Sequence, residues 1–260
     1  CQGYNPLMAV SHKAKNLAAL SKLKFLVSID PLETETARFW ENHGEYNNAD
    51  PSKIQTEVFM LPATTFAEEE GTFTNSSRAI SWKWKAADGP GEARTDTVIV
   101  ADLFMRLRKL YEKEGGAGAQ PFLDVSWAYK DPMAPTADEL LRELNGRALV
   151  DLKDAEGKVT RAAGAQLASF AEMRDDGSTD GGCWIYTGVY GPSGNLALRR
   201  DNADPSGLGV HGNWGFAWPA NRRVLYNRAS ADPEGKPWSE AKKYMAWNGE
   251  RWSGPDVPVM

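Results

Sequence analysis

The sequence predicts an α/β fold over residues 1–146, a parallel sheet with flanking helices, followed over residues 147–260 by an extended irregular segment. Three observations carry this: strand and helix patterns alternate in the first part, a long amphipathic helix follows them, and after about residue 147 periodicity fades into Gly, Pro, Asn, Asp and Trp. An apolar lead, CQGYNPLMAV, breaks at the Gly3-Tyr4-Asn5-Pro6 turn, and Ala14, Leu17, Ala18, Leu20 and Leu23 then recur at helical spacing. Lys24–Asp30 reads as a strand, closed by Pro31, which suits the first turn of a helix over Glu33–His43. Asn47–Pro51 is a polar loop, and Thr56–Pro62 a third strand. Such β-α-β-α-β order implies right-handed crossovers and ligand binding beyond the carboxyl ends of the strands, where Asn5 and Asp30 fall. Residues 71–85 alternate like a hairpin with Asn75-Ser76-Ser77 near its tip. Asp96 is placed to cap a long helix whose Ile99, Leu103, Leu107 and Leu110 share one face and which Gly115-Gly116 ends; Ala137–Leu144, capped by Thr136, is a shorter one. Beyond residue 147 we expect a hairpin around Ala155-Glu156-Gly157-Lys158 and a helix over Ala165–Met173. The remainder, Asp175–Met260, is too long a loop for a stand-alone domain and suits a segment wrapping a larger body.

Composition narrows the function. The chain has 260 residues, 42% hydrophobic and ten of them Trp, enough to bury a core. A net charge of -5 with scattered Lys and Arg argues against nucleic acid as a partner. No apolar run approaches the roughly 18 residues that cross a bilayer, so the piece is expected to be soluble. Cys1 and Cys183 make neither a disulfide framework nor the thiolate set of an iron–sulfur cluster. With neither an initiator Met nor a signal peptide in view, the chain reads as a piece of a longer one, lipoprotein-like maturation at Cys1 being the alternative.

Several residues invite chemistry, each with a plain structural counterpart. Asp30 ends an apolar strand, where a carboxylate accepts from a ribose diol or from guanine N–H groups, or else caps the next helix. Glu68-Glu69-Glu70 is a solvated rim or a metal or proton site, with no histidine near it in sequence. His12, His43 and His211 form no metal-ligand spacing, and no phosphate loop, nucleophile elbow or G-x-G-x-x-G motif occurs. Cys183 in GGCWIYTG is a nucleophile or a small buried residue. The crowd of Trp184, Trp214, Trp218, Trp238, Trp247 and Trp252 serves packing, or stacks sugars in a carbohydrate-binding module. Arg222, Arg223 and Arg228 clamp an anion or make surface ion pairs.

Taken together, CQGYNPL, KFLVSIDPLETETARFWENHGE, IQTEVFMLPATTFAEEEGTFTNSSRAISWKWKAADGPGEARTD, RDDGSTDGGCWIYTG, NRRVLYNRASAD and GKPW resemble the molybdopterin oxidoreductase superfamily, and within it the catalytic subunits of respiratory formate dehydrogenases. The resemblance implies a Rossmann-like sheet and a bis(molybdopterin guanine dinucleotide) cofactor holding molybdenum or tungsten. It also implies formate as substrate, an iron–sulfur electron-transfer subunit, a membrane cytochrome subunit, and a periplasmic or membrane-associated setting. It maps cofactor contacts onto Asn5, Ile29, Asp30, Glu69 and Asp96; at Glu69 relatives can carry Lys. The metal-ligating selenocysteine or cysteine, the catalytic His and Arg and the [4Fe–4S] motif are expected upstream of Cys1, and a second cofactor-binding domain downstream of Met260. No catalytic or metal-ligating residue is therefore assigned within the chain. A nitrate reductase-like member of the superfamily and a non-enzymatic nucleotide-binding module remain as rival readings.

Overall fold

The computed structural model describes residues 1–42, 44, 47–75, 79–201, 215–217, 236, 246–250 and 252–253. His43, Ser76, Ser77, His211, Trp214, Trp218, Arg222, Arg223, Arg228 and Trp238, and the side chains of Trp247 and Trp252, lie outside the described residues. Contacts divide the chain into two units, Cys1–Glu70 with Trp84–Pro135, and Gly71–Lys83 with Thr136–Met260. Residue 146 falls inside the second.

The first unit is built on two parallel strands, β1 (Phe25–Asp30) and β2 (Glu57–Pro62), paired so that Ile29 faces Leu61 and Asp30 faces Pro62. Two further extended stretches join by single parallel bridges, Gln2 to Ile29 and Arg94 to Ala63. Strand alternation sends Leu26 and Val58 to one face, where they pack with Leu7, Leu17, Leu20, Phe39, Trp40 and Ile54. Leu7 belongs to α1 (Pro6–Ala9), and Leu17 and Leu20 to α2 (Lys13–Leu20). The opposite face, Val27, Ile29 and Leu61, packs with Ala63 and with Ile99 of α3 (Asp96–Glu114). Helices thus lie on both faces of a parallel pair, the mixed α/β arrangement expected.

Three expectations in this unit need correction. Residues 35–40 form turns, not a helix over Glu33–His43. The Asn5 side chain accepts the Thr36 N–H at 3.3 Å, which diverts a backbone donor from any helical ladder. The α3 cap is Thr95, whose hydroxyl accepts from the Val98 N–H at 3.4 Å; Asp96 is the first helical residue, where a carboxylate suits the positive end of the helix dipole. Of the expected apolar face only Ile99 is buried, because a two-stranded sheet is too narrow to cover a 19-residue helix. The sequence reading also missed α4 (Ala119–Leu123), whose Phe122 meets Phe104 and Tyr111 of α3.

The second unit begins with the expected hairpin, β3 (Gly71–Thr74) and β4 (Ala79–Lys83), to which β11 (Phe216–Ala217) adds an antiparallel third strand. Its core joins Ile80, Trp82 and Phe216 to Leu141 of α5 (Ala137–Asn145), with Val189 and Ala197. Thr136 and Glu139 close a reciprocal capping box at the start of α5. Short antiparallel pairs follow: β5 (Arg147–Ala148) with β8 (Thr179–Asp180), β6 (Leu152–Lys153) with β7 (Val159–Arg161), and β9 (Tyr190–Gly191) with β10 (Gly194–Asn195). The hairpin expected around Gly157 is the β6–β7 pair. Gly146 has φ +85°, and an added Cβ would stand 2.1 Å from the Asp180 carbonyl oxygen, so only glycine fits where α5 turns into β5.

The helix expected over Ala165–Met173 is absent; only Phe170–Glu172 make a short 3-10 turn. Its donors go elsewhere, the Leu167 N–H to the Gly146 carbonyl at 3.1 Å and the Ala168 N–H to Glu172 Oε2 at 2.8 Å. Glu172 also takes a two-pronged contact from Arg161, at 2.7 and 3.1 Å. Burial pushes the Glu172 carboxyl up, but the Arg161 and Ala168 donors outweigh it and hold the carboxyl below its usual range. A lowered folded-state pKa stabilises the fold above the ordinary glutamate range, and this stabilisation is lost as pH falls through the folded value. Glu172→Gln should cost about 1–2 kcal/mol at neutral pH, and the difference from wild type should shrink on acidification. Urea unfolding at the two pH values checks it; a gap that widens in acid contradicts the assignment.

Candidate functional site

The carboxyl edge of the parallel pair gathers the residues singled out by sequence. Gly3, with φ +54°, donates its N–H to the Ile29 carbonyl at 2.9 Å and turns the chain off the sheet. Asn5 follows, its amide at the centre of a small network. Its Nδ2 donates to Glu35 Oε2 at 2.6 Å, and its Oδ1 accepts from the Thr36 hydroxyl at 2.7 Å as well as from the Thr36 N–H. The Thr36 hydroxyl in turn accepts from the Leu7 N–H at 3.0 Å. Asn5 therefore staples the first turn to the turn after β1.

Asp30 closes β1. Its Oδ1 accepts from the Leu32 N–H at 3.2 Å, shaping a local turn rather than capping a helix, and its backbone carbonyl accepts from the Ala63 N–H at 3.2 Å. Ile29 contributes no side chain to this edge: it is buried beneath α3, with its N–H on the Cys1 carbonyl and its carbonyl on Gly3. Its part is to hold Asp30 in place. At the end of β2 the Arg94 N–H reaches the Pro62 carbonyl at 3.1 Å, and the Thr64 N–H reaches the Arg94 carbonyl at 3.0 Å. This pairing sets the α3 N-terminus, and with it Asp96, at the same edge. Glu69 is half-buried in the loop beyond β2, next to Glu68, whose carboxylate accepts from the Thr65 N–H at 2.9 Å.

Two clefts open here. One, of about 510 Å³, is lined by Leu7, Met8, Glu33, Thr34, Glu35, Arg38 and Asn47. The other, of about 360 Å³, has Asp30 on its wall with Pro31, Leu32, Glu33, Met60 and Leu61. Glu33 lines both. Arg38 pairs with Glu41 at 2.6 Å and Glu33 at 3.3 Å, and the Glu41 hydrogen bond and charge raise the guanidinium above its usual range. Neither cleft is lined by Glu69 or Asp96, so topology brings Asn5, Asp30 and Asp96 to one edge but only Asp30 onto a cleft wall. The sequence reading missed Thr34, Glu35, Arg38 and Asn47, which it had assigned to a helix and a loop. Asn47, 3% exposed, donates to the Phe39 carbonyl at 2.7 Å and so holds the cleft floor through a contact no local pattern announces.

Two buried hydroxyls in this unit, Thr34 Oγ1 on the larger cleft and Thr64 Oγ1 at the end of β2, have no hydrogen-bond partner. Buried polar atoms are ordinarily satisfied, so these two hydroxyls have hydrogen-bonding capacity to spare. Among the described residues no three His, Cys, Asp or Glu side chains are grouped to hold a metal ion. Cys183, in the second unit, is a partly buried free thiol preceding the Trp184–Tyr186 turn.

Residues 59–106, which run from within β2 through the β3–β4 hairpin into α3, match the family model for molybdopterin oxidoreductase. The whole chain also aligns with the formate dehydrogenase-O major subunit of Escherichia coli (strain K12), at 54% identity over 99% of this chain and 26% of that protein. Over residues 59–106 the chain carries a molybdopterin oxidoreductase segment, and along nearly its whole length it is similar to formate dehydrogenase major subunits. The nitrate-inducible formate dehydrogenase major subunit of the same organism is 54% identical over 99% of this chain and 25% of its own length. The formate dehydrogenase major subunit of Haemophilus influenzae is 50% identical over 98% of this chain and 25% of its own length. The chain thus spans about a quarter of the length of these relatives. No described helix is long and apolar enough to cross a membrane.

Proposed function

We propose that these residues form part of the catalytic subunit of a formate dehydrogenase, and that they hold one end of its cofactor rather than perform the chemistry. The observation that carries this is end-to-end identity with formate dehydrogenase major subunits, in a chain whose sheet edge collects Asn5, Asp30 and Asp96. The nitrate reductase-like and sugar-binding readings have no comparable support. In this reading the cofactor is a bis(molybdopterin guanine dinucleotide) with molybdenum or tungsten, which when bound supplies the two-electron oxidation of formate to carbon dioxide. The electrons leave through iron–sulfur clusters to an iron–sulfur subunit and a membrane cytochrome subunit, in a periplasmic or membrane-associated complex.

The edge suits the nucleoside end of such a dinucleotide. Asp30 and Asp96 are acceptors, matching guanine N–H groups and ribose hydroxyls, and the Thr34 and Thr64 hydroxyls can either donate or accept. A diphosphate would be repelled by Asp30, Glu33 and Glu35, so the phosphates must meet other groups. Helix placement also supports a Rossmann-like sheet. The connections from Gln2 to β1 and from β1 to β2 lie on one face, while α3, which follows the Arg94 stretch, packs on the other. A right-handed crossover on that second face leads to strands beyond Gln2, which makes the Gly3–Asn5 turn a topological switch point. Residues 1–146 would then be the dinucleotide-binding part, with 147–260 wrapping the same subunit.

Formate-dependent dye reduction by the full-length polypeptide tests the reading, and its absence in a metal-loaded preparation sinks it. Asp30→Asn replaces one of the two carboxylate acceptors by a donor and removes the charge, and should weaken cofactor retention by about 1–3 kcal/mol. Guanine nucleotide released on acid denaturation reads this directly; wild-type content in the variant removes Asp30 from the site.

A further inference from the structure

α3 carries a row of apolar side chains that stay exposed among the described residues. Val100, Leu103, Leu107 and Leu110 are 42%, 49%, 37% and 51% exposed. Their spacing of three, four and three is the seam of two packed helices, and Asp102, Arg106, Lys109 and Lys113 lie to one side of it. The sheet face beneath α3 is also open at its start. Phe25 and Phe59 share the alternation of Val27, Ile29 and Leu61, yet they are 61% and 45% exposed. The opposite face, by contrast, is covered by α1, α2, Phe39 and Trp40. Parallel sheets are covered on both faces, so one helix position beside α3 is unfilled.

We infer that this position is taken by a helix of the same polypeptide from outside these 260 residues, packed along the Val100–Leu110 seam. Two observations favour that occupant over a second copy or a separate subunit. The relatives are about four times as long as this chain, so most of the polypeptide is elsewhere. Right-handed crossovers, in addition, place the helices of any strand added beside Gln2 on the α3 face. The inference rests on the chain being part of a longer subunit, but not on that subunit's substrate.

Hydroxyl-radical footprinting of the full-length polypeptide, alone and then with its electron-transfer subunit, reads these side chains without substitution. Leu103, Leu107 and Leu110 are expected to be oxidised no faster than buried Ile99 in the polypeptide alone, independently of concentration. Faster oxidation in every sample overturns the inference. So does protection that fades on dilution, which would mean a second copy, or protection that appears only with the added subunit. Leu107→Lys in the full-length polypeptide should abolish soluble folded protein; a soluble variant with unchanged Tm also overturns it. A polypeptide that lacks formate oxidation while keeping the seam protected would sink the catalytic reading and leave this one standing.

Discussion

Asn145→Ala is expected to open the second unit locally, at a cost of about 3–5 kcal/mol. Asn145 is the last residue of α5 and is fully buried. Its Nδ2 donates to the carbonyls of Leu167 at 3.0 Å and Gly146 at 3.1 Å, and its Oδ1 accepts from the N–H groups of Gly188 at 2.7 Å and Tyr190 at 2.9 Å. One side chain thus bonds four backbone groups from three separate stretches of chain. Alanine would remove all four bonds, and although the Gly146 carbonyl keeps the Leu167 N–H, the buried groups left without a partner cost more than a made bond gains. Amide exchange at Gly188 and Tyr190 in the full-length polypeptide should accelerate about a hundredfold or more. Exchange at the wild-type rate would show that other contacts hold these segments. Asn145→Asp separates charge from shape. One carboxyl oxygen keeps the Gly188 and Tyr190 donors, while the other faces two carbonyls and needs a proton to bond them. The folded-state pKa is then raised above the unfolded value, so stability is present in acid and is lost as pH rises through the folded pKa. Part of the Asp variant's loss should return on acidification, whereas the Ala variant's should not.

Asn5→Asp should have the larger effect on function. It preserves the acceptor for Thr36 but sets a carboxylate where the amide donates to Glu35 at 2.6 Å. Two adjoining carboxylates repel or compete for one proton, and the turn that carries Glu33–Arg38 must shift. That turn lines the larger cleft, so cofactor retention should fall roughly ten- to a hundredfold in the full-length enzyme. Adding Glu35→Gln restores a donor facing the new carboxylate and should recover most of the loss. Unchanged guanine nucleotide content in the single variant, or no recovery in the double one, would remove Asn5 from its stapling role.

Much of the architecture was legible because it is local. Lys24–Asp30 and Thr56–Pro62 read as strands from apolar and β-branched runs, and the structure shortens each by one residue. The long helix, the capping box of Thr136, the 71–85 hairpin and the tight pair around Gly157 are announced by periodicity, caps and turn residues. Where the reading failed, a distant partner had taken a backbone group. The Thr36 N–H is held by Asn5, 31 residues earlier, and the Leu167 carbonyl by Asn145, 22 residues earlier, so both predicted helices lose backbone groups to distant side chains. The cleft residues Thr34, Glu35 and Asn47 escaped notice for the same reason.

By itself the sequence determined the parallel strands, the 71–85 hairpin, the long helix and the resemblance to a family, since these depend on residue chemistry at short spacing and on long runs of matching residues. Only the tertiary structure decided which groups meet. It put Asn5, Asp30 and Asp96 on one sheet edge, tied the Asn5 amide to Glu35 and Thr36, and left Thr34 and Thr64 with buried hydroxyls to satisfy. It also showed the α3 seam exposed among the described residues, because burial depends on what packs from far along the chain and no local pattern encodes that.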